Sequence, residues 1–314
     1  AGRMPATSSR PVALITGAAS GIGAATATAL ANRGWRVYAT DIDTAFPPDV
    51  AADCRCLECD VTDSEQPQAV VDRVLAEAGG IDVLVNNAGL AVPGPVEDVP
   101  VEAARQQFDV VVHGTHAMTQ AVLPTMREQG EGRIVMLSSV LGVAPSTGLG
   151  TYGAAKAAVE SLADSLRMEL RGTGVSVSLV EPAWVDSEFA EGAIDRLPAD
   201  RTDAYSEIYE TITDGWVVDG GPLALAPERV ADTVIEAATA DSPKARYPVG
   251  RRSRFVLSGD RIPGALGDWA TRTFNRATIT ARSLWECFGG DDSESASTER
   301  LSTGQEVSVP LSTQ

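Results

Sequence analysis

Three polar side chains in the middle of the sequence have the types and spacing needed to move a proton: Ser139, Tyr152 and Lys156. Tyr152 and Lys156 are four residues apart, so on a helix the phenol and the ammonium share one face. Free tyrosine titrates near ~10, but a nearby cation stabilises the phenolate and lowers its pKa. Ser139 ends a predicted strand, where its hydroxyl can polarise a substrate oxygen. The set predicts acid–base chemistry at an alcohol or a carbonyl.

The Tyr-x3-Lys spacing is not specific by itself, because a solvated pair on a helix surface gives the same pattern. Lys156 and Lys244 are the only lysines among the 314 residues of the chain. A lysine at this place is therefore hard to attribute to chance, and its rarity favours the functional interpretation.

A glycine-rich turn near the start of the sequence is a second signal of chemistry. Residues 16–23 read Thr-Gly-Ala-Ala-Ser-Gly-Ile-Gly and connect an apolar run at 12–15 to an alanine-rich helical pattern at 22–32. Glycines let the backbone approach a pyrophosphate, and a helix N-terminus presents free N–H groups to it. Many tight turns are rich in glycine, but a place between a strand and a helix favours a dinucleotide site. The predicted contacts are Gly17, Ser20, Gly21, Ile22 and Gly23.

The end of the second predicted strand favours one form of the cofactor. Asp41 follows Val-Tyr-Ala-Thr at the tip of that strand. A carboxylate there can accept hydrogen bonds from both adenosine ribose hydroxyls and would repel a 2′-phosphate. Asp41 could instead only cap a turn, and Asp43 could compete for the ribose, but Asp41 lies at the strand tip. Because Ser20 in the loop is not basic either, the sequence predicts NAD rather than NADP.

These motifs, in this order, resemble the short-chain dehydrogenase/reductase family over about residues 11–250. The Gly-x3-Gly-x-Gly spacing, the Asn-Asn-Ala-Gly at 86–89 and the Tyr-x3-Lys preceded by a serine carry the resemblance. It implies an NAD(P)-dependent oxidoreductase acting on CH–OH groups, with that serine, tyrosine and lysine as catalytic residues. It also implies further cofactor contacts: Asp60 and Val61 at the adenine, Asn87, Ala88 and Gly89 along the pocket, and Tyr152, Lys156, Pro182, Val185 and Ser187 around the nicotinamide.

Two places depart from the family pattern. Ala183 replaces the usual glycine and Ser187 the usual threonine, although serine keeps the hydroxyl. Val111 occupies the position of an asparagine that, in the family, helps to hold a water connecting the lysine to solvent, and valine offers no donor or acceptor. Either backbone groups hold that water, or His113 substitutes, or activity is weakened. We assign neither His113 nor His116 to catalysis.

Apolar runs without clean alternation recur between helical patterns along the sequence. Strands that alternate with helices indicate βαβ units, and uniformly apolar strands indicate a parallel sheet covered on both faces. The predicted fold is α/β, a doubly wound parallel sheet of Rossmann type, as a single domain with a C-terminal extension. The predicted strands are 12–15, 35–40, 56–59, 81–85, 133–137, 175–180 and 245–249, and the predicted helices are 22–32, 64–78, 108–127, 152–170 and 227–240.

The remaining segments are assigned by composition. Residues 1–10 are small and polar, which predicts a flexible lead-in without a secretory signal. Within the predicted NAD-binding catalytic domain, 11–250, residues 186–222 carry many charges and no strong period, and we predict a mobile substrate flap there. Residues 251–288 are predicted to form a C-terminal helical extension. Residues 289–314, rich in Ser, Thr, Asp and Glu, are predicted to be a disordered tail.

The charge balance argues against several partners. The chain has 43 acidic and 25 basic residues, a net charge of −18, so it should repel nucleic acid and anionic membranes. No apolar run reaches the ~18 residues that a membrane helix needs. Few lysines with many carboxylates resemble proteins from salt-loving archaea, and an ordinary acidic protein from a GC-rich genome is the alternative interpretation.

The cysteines predict location rather than metal binding. Cys54, Cys56 and Cys59 lie close together, but no second ligand pair follows them, so no metal site is predicted. Cys54 and Cys56 fit neighbouring inward positions of a strand. Free thiols predict a reducing, cytoplasmic location. The expected partners are a small-molecule alcohol or ketone and further copies of the chain in a homo-oligomer.

The substrate class is inferred from the subfamily. Within the family, the sequence most resembles the hydroxysteroid and retinol dehydrogenase-like members over residues 94–189. Short segments such as 120–124 and 246–250 carry this resemblance. That resemblance implies a hydrophobic secondary alcohol or ketone. Two other functions compete with this one. The first is a non-catalytic NAD-binding sensor or scaffold: Val111 favours it, but such a protein would not need Ser139, Tyr152 and Lys156 together. The second is a 3-oxoacyl-type ketoreductase: such enzymes usually use NADPH, which Asp41 disfavours.

Overall fold

The computed structural model describes residues 10–213, 218, 224–250 and 253. These residues belong to a compact unit that spans Ala1–Gly267. The predictions of a flexible lead-in, a C-terminal helical extension and a disordered tail lie outside the described residues, apart from Arg10 and Ser253.

Within the described residues, seven parallel strands form one sheet: β1 Val12–Thr16, β2 Arg36–Asp41, β3 Arg55–Glu58, β4 Val83–Asn86, β5 Gly132–Leu137, β6 Val175–Pro182 and β7 Arg246–Val249. Their order across the sheet is β3-β2-β1-β4-β5-β6-β7. The chain therefore winds outward in both directions from the pair β1 and β4. This arrangement confirms the predicted doubly wound, Rossmann-type fold.

Both faces of the sheet are covered, and the alternation of side chains along a strand explains the composition. In β1, Leu14 belongs to the apolar core on one face and Ile15 to the core on the other. All five residues of this strand are buried. Because successive side chains point to opposite faces, a strand covered on both sides is apolar throughout.

The helices cover these two faces. The helices among the described residues are α1 Gly21–Ala31, α2 Pro48–Asp53, α3 Gln66–Ala78, α4 Val101–Phe108, α5 Thr115–Gln129, α6 Gly150–Glu169, α7 Glu188–Ile194, α8 Ser206–Thr213 and α9 Pro227–Thr239. On one face α1 and α9 contact each other, and on the opposite face α3 and α5 contact each other and α6 also packs.

The helix predicted at 108–127 differs most from its prediction. It begins earlier, as α4, and passes through a π-helical segment, Asp109–Gly114, before it continues as α5. The polar sequence of α4, in which Gln107 is the buried residue, gives no apolar stripe that would have revealed it. Gly114 lets the helix pass close to the loop after β3, because a Cβ at this glycine would lie 2.5 Å from Val61 Cγ2.

The cysteine segment corrects one prediction. Cys54 does not lie in a strand: it ends α2, where its N–H donates to Val50 O at 2.9 Å, and β3 begins one residue later. Pro47 and Pro48 stand at the N-terminus of α2, where proline is tolerated. Residues Pro48–Asp53 therefore form a short helix, and the strand begins only after Cys54. Cys54, Cys56 and Cys59 are free thiols.

The segment predicted to be a flap contains α7 and α8 and is tied to the loop that follows β4. Thr202 donates to the Asp98 carboxylate from its N–H at 3.0 Å and from Oγ1 at 2.6 Å. Tyr209 donates to the same carboxylate at 2.8 Å, and Tyr205 donates to Glu97 at 2.6 Å. The mobility of this segment stays a prediction.

Candidate active site

A cavity of about 540 Å³ opens at the carboxyl ends of the strands, where the strand order reverses between β1 and β4. In open α/β sheets this switch point is where ligands bind. The cavity brings together predicted residues from distant parts of the chain. Those that line it are Gly17, Ser20, Gly21, Ile22, Asp41, Asp60, Val61, Asn87, Ala88, Gly89, Ser139, Tyr152, Lys156, Pro182, Val185 and Ser187.

The glycine loop forms a cradle that side chains would fill. Gly17 has a φ of 65°, and a Cβ on it would lie 2.8 Å from Ala88 Cα. Gly23 is buried beneath the loop, where a Cβ would come within 1.9 Å of Gly17 O. Asn87 supports the same turn, since its Nδ2 donates to Thr16 O at 3.0 Å and to Gly17 O at 2.8 Å. The turn therefore keeps the shape that a pyrophosphate requires, with the N-terminus of α1 behind it.

Asp41 lies beside this loop. Its Oδ2 accepts the N–H of Ala19 at 2.9 Å, and its Oδ1 accepts the N–H of Asp43 at 3.2 Å. Asp43, in contrast, is exposed and does not line the cavity. The carboxylate of Asp41 thus stabilises a turn and also presents its charge at the rim where an adenosine ribose would lie.

The loop after β3 and the π-helical segment form the far end of the cavity. The Asp60 carboxylate accepts two hydrogen bonds from Thr62, from N at 2.8 Å and from Oγ1 at 2.7 Å. Asp109 and Val110 also line this end, and the sequence analysis missed both. Their signal was weak, because the break in helical geometry that exposes them leaves no pattern in the sequence.

The predicted acid–base residues meet at the other end of the cavity, which is called the acid–base end below. Lys156 is buried on α6, and its Nζ donates to Leu137 O at 2.7 Å and lies 5.7 Å from the centre of the Tyr152 ring. Ser139 follows β5, where its Oγ accepts the N–H of Leu141 at 3.2 Å and so begins a turn of 3₁₀ helix. A helix and a strand end thereby direct a phenol, an ammonium and a hydroxyl into one space.

Burial moves the pKa values of both titratable groups away from the protonation states that catalysis needs. Desolvation lowers the pKa of the Lys156 ammonium to about 8. Desolvation also raises the pKa of Tyr152 above its ordinary value. Burial thus opposes the lowered tyrosine pKa, and positive charge beyond Lys156, such as a bound nicotinamide ring would add, is needed beside the phenol.

The position of the family asparagine is apolar in this structure. Val111 is 1% exposed, and a Cβ built on Gly89 would lie 3.8 Å from Val111 Cγ2 and 3.9 Å from Lys156 Nζ. His113 does not replace the missing amide, because its side chain is 72% exposed and its Nδ1 lies 2.9 Å from Asp109 Oδ1. With His113 excluded, a water held by backbone groups or by another residue, and a weakened activity, remain the alternatives.

The segment after β6 forms a strap over the cavity, residues 183–187. Leu225 donates its N–H to Trp184 O at 2.9 Å and accepts the N–H of Asp186 at 3.0 Å. Because alternate residues of an extended chain present their backbone groups to opposite sides, Val185 directs its own N–H and C=O away from Leu225. A Cβ on Gly21 would lie 3.3 Å from Ser187 Cβ, so the strap also reaches the glycine loop.

Apolar side chains surround the acid–base end. The Phe189 ring, on α7, lies 5.9 Å from the Tyr152 ring between centres. Leu141, Leu149 and Trp184 line the same region. The sequence analysis missed these residues, since an aromatic in a charged segment and leucines in loops carry no spacing signal.

Two further searches of the described residues gave no site. No three side chains of His, Cys, Asp or Glu are grouped so that they could hold a metal ion. Among the helices of the described chain, none combines the length and the apolar character required to cross a membrane.

Residues 11–197 match the family model described as short chain dehydrogenase. The match covers more than half of the chain and includes the glycine loop and the three predicted catalytic residues. The protein belongs to the short-chain dehydrogenase family and is an oxidoreductase that acts on CH–OH groups.

Relatives with oxidoreductase names extend this similarity. The chain is 35% identical over 264 residues to the uncharacterized oxidoreductase YbbO of Escherichia coli K12, covering 81% of this chain and 91% of the relative. It is 34% identical over 268 residues to the NADPH-dependent 3-dehydrocapnine reductase of Ornithobacterium rhinotracheale, covering 82% and 94%. It is 39% identical over 197 residues to the cis-4-hydroxycyclohexanecarboxylate dehydrogenase of Sinomonas cyclohexanicum, covering 60% and 77%.

Solved structures of the same family show the same fold with either cofactor. A short-chain dehydrogenase/reductase from Burkholderia phymatum in complex with NAD superposes with a TM-score of 0.69 at 29% identity, covering 81% of this chain and 92% of that one. A short-chain dehydrogenase from Burkholderia cenocepacia in complex with NADP gives 0.64 at 26% identity, covering 80% and 92%. The family fold thus accommodates NAD and NADP alike.

Proposed function

We propose that this protein is an NAD-dependent oxidoreductase that transfers a hydride between nicotinamide and a hydrophobic secondary alcohol or ketone, with Tyr152 as the acid–base group. The observation that carries the proposal is the shared cavity. Tyr152 and Lys156 from α6 and Ser139 from the end of β5 line the same space as the glycine cradle. A nucleotide held by the cradle and an alcohol held by Ser139 and Tyr152 would be neighbours.

Each residue of the trio has a role in the proposed reaction. Tyr152, as phenolate, takes the hydroxyl proton of the alcohol, and Ser139 hydrogen-bonds the same oxygen. The Lys156 ammonium favours the phenolate by its charge. A nicotinamide held in the cavity would supply the hydride acceptor, and its positive ring would add the further charge that favours the phenolate. In the reverse direction the phenol returns the proton to the carbonyl oxygen.

The preference for NAD rests on Asp41. Its carboxylate is fixed beside the loop by the N–H of Ala19, so a 2′-phosphate at this rim would meet a like charge. One relative is named as NADPH-dependent, which makes this side chain the point to test. The other proposed cofactor contacts are the lining residues of the loop, of 60–61, of 87–89 and of the strap, together with Tyr152 and Lys156.

The hydrophobic substrate is supported by the lining of the acid–base end. Phe189, Leu141 and Leu149 can cover an apolar ring or chain next to Tyr152. A steroid- or retinoid-like alcohol is therefore our proposal for the substrate class. One relative is named for cis-4-hydroxycyclohexanecarboxylate, which is a cyclic secondary alcohol.

The competing functions have less support. A non-catalytic NAD-binding sensor or scaffold would not require Ser139, Tyr152 and Lys156 in one cavity. A 3-oxoacyl-type ketoreductase would normally bind NADPH, whose 2′-phosphate Asp41 disfavours.

Three broader proposals concern the whole protein. A cytoplasmic location is supported by the free thiols of the described chain. Assembly into a homo-oligomer stays a prediction. Adaptation to high salt is supported by the net charge of −18.

The test is a panel of alcohols and ketones followed by NADH absorbance, with Tyr152→Phe measured on the best substrate. This change removes only the phenolic oxygen, so kcat should fall by at least ~10²-fold while NADH binding persists. Tyr38→Phe, a buried tyrosine of β2 outside the cavity, is the matched control and should keep its activity. Turnover retained in Tyr152→Phe would remove this residue from the mechanism.

A further inference from the structure

A charged cluster lies behind the acid–base residues on the same helix. Tyr152, Lys156, Glu160 and Asp164 recur every four residues along α6 and so form one stripe. The first two line the cavity. Glu160 continues the stripe into the protein, where its side chain is 8% exposed, whereas Asp164 lies at the surface with 49% exposed.

Arg246 joins this stripe to the central sheet. From β7 its Nη1 contacts Oε2 of Glu160 and lies 2.7 Å from Oε1 of Glu181, the penultimate residue of β6. Its Nη2 donates to Asp164 Oδ2 at 2.9 Å. One planar guanidinium therefore connects α6, β6 and β7, and its fixed geometry restricts how these three elements can shift relative to one another.

The cluster is costly to bury, so stability alone does not explain it. Glu181 is 1% exposed, and two carboxylate oxygens, Glu160 Oε1 and Glu181 Oε2, are buried without a hydrogen-bond partner in the described part of the chain. Well-packed apolar side chains often serve stability as well as a buried ion pair does. The position of the cluster is therefore more informative than its energy.

The cluster lies where α6, which carries Tyr152 and Lys156, packs against the end of β6, which leads into the strap. Glu160 is one helical turn beyond Lys156, and Glu181 directly precedes Pro182, which lines the cavity and begins the path into the strap. A small rotation of α6 against β6 would move the phenol relative to the strap. Misplacement of reacting groups by about 1 Å can cost 10²-fold in rate.

We propose that Glu160, Glu181 and Arg246 are positioning residues for hydride transfer, which hold the acid–base face of α6 in register with the strap. The proposal rests on the proposed function above. None of the three lines the cavity, so they act through Tyr152, Lys156 and the strap.

The protonation of Glu181 should make kcat depend on pH, and a purely structural role of this residue would not produce that dependence. Burial raises the pKa of Glu181 to about 7, with the charge of Arg167 acting in the opposite direction. The charged groups that face it are Glu160, Asp164 and Arg167 from α6 and Arg246 from β7. As the pH rises through this value the carboxyl becomes charged and binds Arg246 more strongly, so kcat should rise.

The experiment compares Glu160→Gln and Glu181→Gln with Asp164→Asn, which removes the exposed contact of the same guanidinium. The kcat, KM and NADH dissociation constant are measured per folded molecule from about pH 6 to about pH 9, a range that includes the Glu181 pKa of about 7. We expect kcat to fall by about 10- to 100-fold in both glutamine variants, with cofactor binding little changed and Asp164→Asn close to wild type. The rise near pH 7 should disappear only in Glu181→Gln.

Folding and function are separated by two further measurements. If Glu181→Gln does not fold, Glu181→Asp keeps the charge with a shorter reach, and kcat should fall while the rise near pH 7 persists. Hydrogen exchange of 150–160 and 182–187 should be faster in the glutamine variants than in Asp164→Asn. This readout needs no substrate, so it remains valid if the proposed oxidoreductase activity fails. Wild-type kcat per folded molecule in both glutamine variants, or unchanged exchange, overturns the proposal.

Discussion

The two halves of the cavity are built in different ways. The half around the glycine loop is the one that we propose for the cofactor (the cofactor half), and the half around Tyr152 and Phe189 is the one that we propose for the substrate (the substrate half). In the cofactor half, the glycine loop is shaped by neighbouring backbone, with Gly23 beneath Gly17 and the Asn87 side chain donating to two loop carbonyls. Next to the substrate half, the flap segment, residues 186–222, is held by contacts between distant parts of the sequence. Asp98 accepts hydrogen bonds from Thr202, 104 residues away, and from Tyr209, 111 residues away. A backbone-built site tolerates almost no added atom, whereas a segment held by a few side-chain hydrogen bonds has more freedom to shift.

Among the changes that test this comparison of the two halves, the largest expected effect comes from adding one methyl group to the cofactor half. Gly23→Ala places a Cβ only 1.9 Å from Gly17 O. Because two such atoms cannot lie this close, the loop must shift. We expect NADH binding to weaken by about tenfold or more, which is ~1.4 kcal/mol, as measured by fluorescence titration. The control, Ala29→Gly, should cost the α1 helix ~0.5–1 kcal/mol without changing the loop. Wild-type affinity in Gly23→Ala would show that the loop is more compliant than the structure indicates.

A smaller change is expected from the rim of the same half. Asp41→Ser removes the charge beside the ribose position, so the ratio of kcat/KM for NAD to that for NADP should fall, by about tenfold if the charge contributes 1.4 kcal/mol. The matched variant Asp43→Ser removes an exposed charge two residues away and should leave the ratio unchanged. A wild-type preference for NADP would contradict the assignment of Asp41.

The substrate half should respond in KM rather than in cofactor binding. Asp98→Ala removes the acceptor for Thr202 and Tyr209, so the flap segment loses its tie to the loop after β4. We expect a severalfold rise in KM for the alcohol and an unchanged NADH dissociation constant. Asp200→Ala, an exposed carboxylate of the same segment, controls for charge. An equal loss of cofactor affinity would mean that the two halves are not independent.

The smallest effect is expected at Val111, which is buried in the core near Gly89 and Lys156. Val111→Asn introduces an amide into a site in which valine is 1% exposed, and an unpaired buried amide is unfavourable. We expect kcat at or below the wild-type value across pH, and no change in His113→Ala, because that side chain is exposed. A clear gain in Val111→Asn would show that the missing amide limits proton transfer.

The two halves also differ in what could be predicted. The glycine loop, Asp41 and the Tyr-x3-Lys pair were found from spacing, since strand ends and one helix face place neighbouring residues in neighbouring positions. Phe189, which lines the cavity, was missed, and so were Asp98 and Arg246 outside it, because each of them makes its contacts across more than 30 residues of sequence. Cys54 was misplaced because a short helix with few apolar residues imitates a strand edge.

The sequence by itself determined the sheet and the cofactor half. Uniformly apolar strands require cover on both faces, and a glycine turn between a strand and a helix admits few arrangements of the backbone. Only the tertiary structure decided that Glu160 and Glu181 share one guanidinium, that Val111 packs beside Gly89 and that Asp98 holds the flap segment. The physical reason is that local conformation depends on adjacent residues, whereas burial and hydrogen bonding between distant side chains depend on how the helices pack on the sheet.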